Sequence, residues 1–137
     1  MLDLSTLKKA ISQLEKSYSF CHSDLSQDIE LFMQFRAATI QAFEYTFELC
    51  IKMLRRQLEI MADIPQQIDE LGYKDLIRTG CEKDLLENPL AWFNFRENRN
   101  ITAHTYNEEK AELVYSIIPN FIARSHYLLS KLMAQNK

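Results

Sequence analysis

Leu4, Leu7, Ile11, Leu14, Tyr18 and Cys21 recur at alternating spacings of three and four. That period lays side chains along one stripe of an α-helix and predicts a first helix over roughly residues 3 to 22. The polar run HSDLSQD that follows supplies turn residues, with Asp28 or Ser26 placed to cap the next helix. From Ile29 to about Met61 neither Gly nor Pro interrupts the chain. Phe32, Phe35, Ile40, Phe43, Phe47, Met53 and Leu54 cover much of this second helix, while Glu44, Glu48, Lys52 and Arg56 stand four apart as a solvated stripe. Such a helix is expected at the centre, with neighbours on several sides.

Pro65, Gly72 and Gly80 punctuate the next stretch, where YKDLIRTGCEKDLL has room only for a short helix. Asn88 before Pro89 reads as an N-cap followed by proline in the first turn, where its missing amide hydrogen costs nothing. A further helix is expected from there to about Ala103. Asn107 is a second cap, with Glu108 and Glu109 in a first turn where the helix dipole favours negative charge. Ala111, Val114, Ile118, Phe121, Ser125, Leu128 and Leu132 then keep the helical period almost to the end, and Pro119 is expected to kink this last helix. The pattern predicts an all-α fold: an antiparallel up-and-down four-helix bundle with an additional short helix, spanning residues 1–137 as one domain.

Composition agrees with that reading. The 137 residues are 47% hydrophobic and include only 2 Gly and 3 Pro, too few turn-formers for many short strands. A chain of this length buries enough surface to fold without disulfides or a structural metal. Its 16 Lys and Arg against 19 Asp and Glu leave a formal charge of −3, so any phosphate binding must come from a local cluster. Cys21, Cys50 and Cys81 are widely spaced and form no CxxC pair, as expected of reduced thiols. No secretory leader or membrane span is evident, and a cytoplasmic protein is expected.

The densest polar segment in an apolar context is WFNFRENRNITAHTYNEE, from Trp92 to Glu109. Its plain reading is a helix with a solvated face running into a capped turn. A sharper reading starts from Arg99, His104 and Tyr106: arginine offers a planar fork suited to phosphate, and histidine moves a proton near neutrality. The spacing raises a difficulty. Five residues of continuous helix advance about 500°, which points Arg99 and His104 about 140° apart and prevents them from gripping one phosphate. Either the helix ends near Ala103 so that His104 turns back, or two copies of the chain complete each other's site. Elsewhere the sequence is less suggestive. His22 reads as a surface histidine at a helix end, His126 lacks metal-ligand neighbours, and no metal site is expected. Glu44 and Glu48 read as solvated surface, and Arg36 as an edge residue rather than a cleft cation.

The run RNITAHTY resembles the R-x4-H-x-Y motif of the HEPN superfamily, and more narrowly that of the nucleotidyltransferase substrate-binding proteins within it. The IQAFEYTFE segment of Ile40 to Glu48, Lys52, Arg78 and Trp92 precede the motif in the matching order, so the resemblance spans nearly the whole chain. Ala37 and Ala42 depart from the pattern where charged residues are expected. The resemblance implies a homodimer that pairs with a minimal nucleotidyltransferase encoded nearby and needs no cofactor. In active members it implies a metal-independent endoribonuclease, here with Arg99 and His104 as catalytic residues. Arg96, Asn100 and Glu44 are then binding or supporting residues, with Asn100 orienting His104. Tyr106 is the acceptor to which the partner attaches AMP, silencing a toxin-like nuclease. The alternative it leaves open is a non-catalytic subunit that binds a nucleotide or substrate for the transferase.

Overall fold

The second helix organises the chain. In the computed structural model, which describes residues 1–137, the α-helices are α1 (Ser5–Phe20), α2 (Ile29–Met61), α3 (Pro65–Asp69), α4 (Tyr73–Glu82), α5 (Pro89–Asn100), α6 (Glu108–Ser116) and α7 (Ile118–Gln135). Short 3-10 turns at Asp24–Gln27 and Thr102–His104 precede α2 and α6. Helix α2 packs against every other element, as its broad apolar surface requires.

Cross-contacts fix the directions. Thr46 on α2 donates to the carbonyl of Ala10 on α1, and Thr39 meets Cys21 just beyond α1, so these helices run antiparallel. Helix α5 is likewise antiparallel to α2, with Glu48 opposite Arg99 and Glu44 opposite Thr102. Helix α7 runs back beside α1, bringing the Asn136 side chain onto the amide of Leu2 and His126 onto Glu15. The result is the expected up-and-down bundle, with α3 and α4 inserted between α2 and α5.

The core is aromatic at its middle. Phe43, Phe95 and Phe121 meet edge to face, Phe43 at 4.9 Å and Phe95 at 5.1 Å from the Phe121 ring centre, and Trp92 stands 5.2 Å from Phe95. All four are fully buried. Such edge contacts add to the gain from burial.

Caps follow the sequence closely. The Asp28 carboxylate accepts from the amides of Glu30 at 2.9 Å and Leu31 at 3.3 Å, leaving Ser26 out of the cap. Asn88 adopts the left-handed conformation, φ 57°, and its side chain accepts from Ala91. Asn107 accepts from Lys110 at 3.1 Å. Each such cap contributes about 1 kcal/mol.

Three expectations are corrected. Pro119 does not kink a continuous helix: the chain breaks at Ile117, and Pro119 occupies the first turn of α7, where its missing amide hydrogen costs no helical bond. Helix α5 ends at Asn100, earlier than Ala103. Gly80, expected to punctuate its stretch, lies inside α4, where a Cβ would stand 3.1 Å from Leu54 and from Leu86, so its role is close packing.

Candidate functional site

The segment from Arg99 to Glu108 is where α5 gives way to α6. Helix α5 stops at Asn100, Ile101 leaves helical geometry, and the 3-10 turn Thr102–His104 redirects the chain before Asn107 starts α6. Arg99 and His104 therefore sit on different local structures, and the divergence calculated for a continuous helix does not apply. The helix thus ends early, as the first of the two resolutions requires.

Arg99 is anchored. Its Nε donates to Glu48 Oε1 at 2.8 Å, and its Nη2 lies 3.5 Å from Glu44 Oε1. Glu44 in turn accepts from the Thr102 hydroxyl at 2.8 Å. Glu44 and Glu48 lie at the surface, as expected, and together form a two-carboxylate cradle that ties α2 to the start of the turn. Their four-residue spacing puts both on one face, where a single guanidinium spans them. Thr102 is buried, and its hydroxyl oxygen also lies 2.9 Å from the carbonyl of Arg99, the alternative acceptor for its one proton.

His104 is exposed, and its ring makes no hydrogen bond within the chain; its amide donates to the carbonyl of Ile101 at 2.9 Å. The ring of Tyr106 lies 6.4 Å away in an edge arrangement, and Tyr106 is 89% exposed. Asn100 forms no hydrogen bond to His104. It faces a groove of about 440 Å³, together with Glu48, Arg55, Arg96 and Arg99. Arg96 stacks its guanidinium 4.6 Å from the centre of the Tyr73 ring. Tyr73 donates to the carbonyl of Trp92 at 2.8 Å, and burial pushes its phenol well above its ordinary value.

Arg36, read as an edge residue, is only 5% exposed and forks onto Glu108, both bonds 2.7 Å long. These bonds raise the guanidinium's affinity for its proton and hold the Glu108 carboxyl below the usual glutamate range. The pair pins the first turn of α6 to α2, two residues beyond Tyr106. Sequence spacing gives no hint of a partner 72 positions away. Thr102 and Tyr73 also escape a reading of the sequence. Thr102 carries a signal all the same, because it lies inside the R-x4-H run. His22 and His126 stay on the surface, bonded to the Tyr18 carbonyl and to Glu15. No cluster of His, Cys, Asp and Glu is arranged to hold a metal ion.

An all-helical bundle with R-x4-H-x-Y spread over the break between α5 and α6 defines a protein of the HEPN kind. The chain belongs to the family described as nucleotidyltransferase substrate binding protein like, whose model matches residues 2–134. It is 40% identical over 101 residues to the probable ribonuclease HepT of Haemophilus influenzae, a match covering 74% of this chain and 69% of that protein. Among solved structures, it resembles a Haemophilus influenzae protein reported to reveal the fold of a substrate binding domain of a nucleotidyltransferase. There the TM-score is 0.90 and the identity 34%, over 96% of this chain and 99% of that one. A Thermus thermophilus protein aligns with a TM-score of 0.68 and 26% identity, over 92% of this chain and 98% of that one. No helix is long and apolar enough to cross a membrane.

Proposed function

We propose that this chain is the HEPN subunit of a two-component, toxin-antitoxin-like pair with a minimal nucleotidyltransferase encoded nearby, and that it cleaves RNA without a metal. On this reading a ribose 2′-oxygen attacks the adjacent phosphorus and the 5′-oxygen leaves with a proton, producing a 2′,3′-cyclic phosphate. His104 moves the proton, and Arg99 balances the charge that builds on the phosphoryl oxygens. Arg96 and Asn100 line the approach, and Glu44 holds Arg99 and the turn in place. The observation that carries the reading is the chain break after Asn100, which separates an anchored cation from an unencumbered histidine by one tight turn.

Tyr106, exposed beside His104, is the AMP acceptor: its oxygen attacks the α-phosphorus of ATP on the partner enzyme and pyrophosphate leaves. The added bulk and negative charge then block the site. A homodimer whose motifs face one cleft extends the RNA-binding surface. The name of the Haemophilus ribonuclease favours RNA cleavage, and the substrate-binding description of the family favours a nucleotidyltransferase partner.

A second reading is favoured by one observation. Both carboxylates of the cradle already engage Arg99, which suits a static binding role. The chain would then hold a nucleotide for the transferase without cleaving anything. The test is incubation with RNA in EDTA. Cyclic phosphate ends from the wild type, absent with Arg99→Ala and with His104→Ala, support the nuclease; an inert wild type supports the binding subunit. A mass gain of one or more AMP units on Tyr106, seen only with partner and ATP, tests the silencing step.

A further inference from the structure

A groove of about 740 Å³ between α4 and α5 shares Tyr73, Arg96 and Asn100 with the groove at Arg99, so one trough runs along the α5 surface. Its far end is built unlike the surface around it. Leu90 is 73% exposed there, and Phe93 lies half-buried beside it, although α5 has a full apolar face elsewhere. Lys74 Nζ and the Arg78 guanidinium each stand 5.5 Å from the centre of the Phe93 ring. Lys74 and Arg96 enter no ion pair, whereas Arg78 is partly offset by Asp75 at 3.3 Å. Asp75 and Glu97 also line the trough and temper its charge, so the free cations, not the net field, would meet a ligand.

An aromatic ring flanked by exposed cations, opening into a cation-lined channel, is the arrangement that takes single-stranded nucleic acid. Bases stack on the ring and phosphates follow the cations. An exposed cation–π contact is weaker than a stacked base, so Lys74 and Arg78 exchange the ring for a phosphate readily. Phe93 precedes Arg99 by six residues, roughly 9 Å of helix, which separates the far end from Arg99 by more than one nucleotide's width.

We propose that the α4–α5 end of the trough is a second RNA subsite: it holds a nucleotide beyond the two that straddle the phosphate at Arg99, with its base against Phe93 and Leu90 and its phosphate at Lys74. The inference rests on the RNA reading of the Arg99 end, and its test does not depend on cleavage. The probe is a fluorescent 2′-O-methyl hexanucleotide, which lacks the nucleophilic hydroxyl, titrated against the full-length protein with a dinucleotide of the same chemistry beside it.

The wild type should bind the hexanucleotide roughly tenfold or more tightly than the dinucleotide. Phe93→Leu, which keeps the packing but removes the flat ring, and Lys74→Ala, on an exposed side chain, should each erase most of that advantage. Both should leave dinucleotide affinity unchanged; Lys74→Ala should leave the thermal midpoint unchanged as well, whereas Phe93→Leu, at a side chain packed against the core, should lower it by a few degrees at most. Lys74→Ala should also reduce the slope of log affinity against log salt by about 0.7, one phosphate contact. Hexanucleotide affinity unchanged in both variants overturns the proposal, even if the wild type cleaves RNA. A variant that alters sedimentation and not binding assigns the groove to a protein contact and also overturns it. Variant-sensitive binding by a protein that never cleaves RNA sustains the subsite and sinks the nuclease reading alone.

Discussion

Arg99 on α5 and Glu48 on α2 are joined at 2.8 Å across the open groove, so the cation proposed to meet phosphate already has a carboxylate in place. A phosphate oxygen entering there must displace Glu48 or share Arg99 with it. Glu44 is the less direct partner of Arg99, at 3.5 Å, but is also held by Thr102.

The first prediction follows from that competition. Glu48→Gln removes the competing charge while keeping a hydrogen-bond acceptor of the same length. It should tighten binding of an uncleavable oligonucleotide roughly threefold to tenfold at about 50 mM salt, with the gain shrinking as salt screens the site. Arg99→Ala should weaken binding in either background. Fluorescence anisotropy at two salt concentrations checks both, and an unchanged affinity for Glu48→Gln would mean that Arg99 is not a phosphate ligand.

Glu108 and Arg36 give a prediction with a sign. A guanidinium only 5% exposed loses its compensation if Glu108 becomes neutral, whereas replacing the arginine by an apolar side chain removes the need for it. Glu108→Gln should therefore destabilise more than Arg36→Met. The Glu108 carboxyl titrates below its unfolded value because Arg36 donates to it. Its stabilising contribution is thus present above the ordinary glutamate value and is lost as pH falls through the lowered one. Thermal midpoints of wild type and Glu108→Gln should converge as pH drops below about 4. A gap that does not narrow at all as pH falls below the ordinary glutamate value would contradict the pairing.

The fold was legible because its signals are local. The stripe from Leu4 to Cys21, the uninterrupted run from Ile29 and the caps at Asp28, Asn88 and Asn107 depend on residues within a few positions of one another, and all reappear in the structure. Pro119 is the exception, since a proline can bend a helix or begin one and only the tertiary path selects between them. The motif Arg99, His104 and Tyr106 was legible as a motif, while its surroundings were not. Glu48, Arg36 and Tyr73 acquire meaning only from partners on other helices, and no spacing rule encodes a contact between positions 36 and 108.

Gly80 is the next test, because its residue type alone suggests a turn. It sits in α4, and both leucines that its Cβ would meet, Leu54 and Leu86, are themselves buried. Alanine would gain about 1 kcal/mol of helix propensity, but overpacking a filled core costs about 1–3 kcal/mol. Gly80→Ala should therefore lower stability by about 1 kcal/mol, read as a fall in the urea midpoint with unchanged slope. A stabilised variant would show that Leu86 retreats freely.

Trp92 separates packing from polar satisfaction. The indole is fully buried against Phe47, Phe95 and Phe121, yet its Nε1 has no hydrogen-bond partner. An unpaired buried N–H costs about 1–3 kcal/mol, and the ring volume lost in Trp92→Phe costs a similar amount through the cavity it leaves. The two offset, so Trp92→Phe should stay within about 1 kcal/mol of wild type. Phe95→Ala, which deletes an equally buried ring that carries no polar atom, should cost about 3–5 kcal/mol. Trp92 is the one tryptophan of the chain, so its fluorescence disappears with the substitution and unfolding must be followed by far-ultraviolet circular dichroism. A loss for Trp92→Phe as large as that for Phe95→Ala would mean that the indole N–H is satisfied in solution, as by a bound water, and that no polar penalty is relieved.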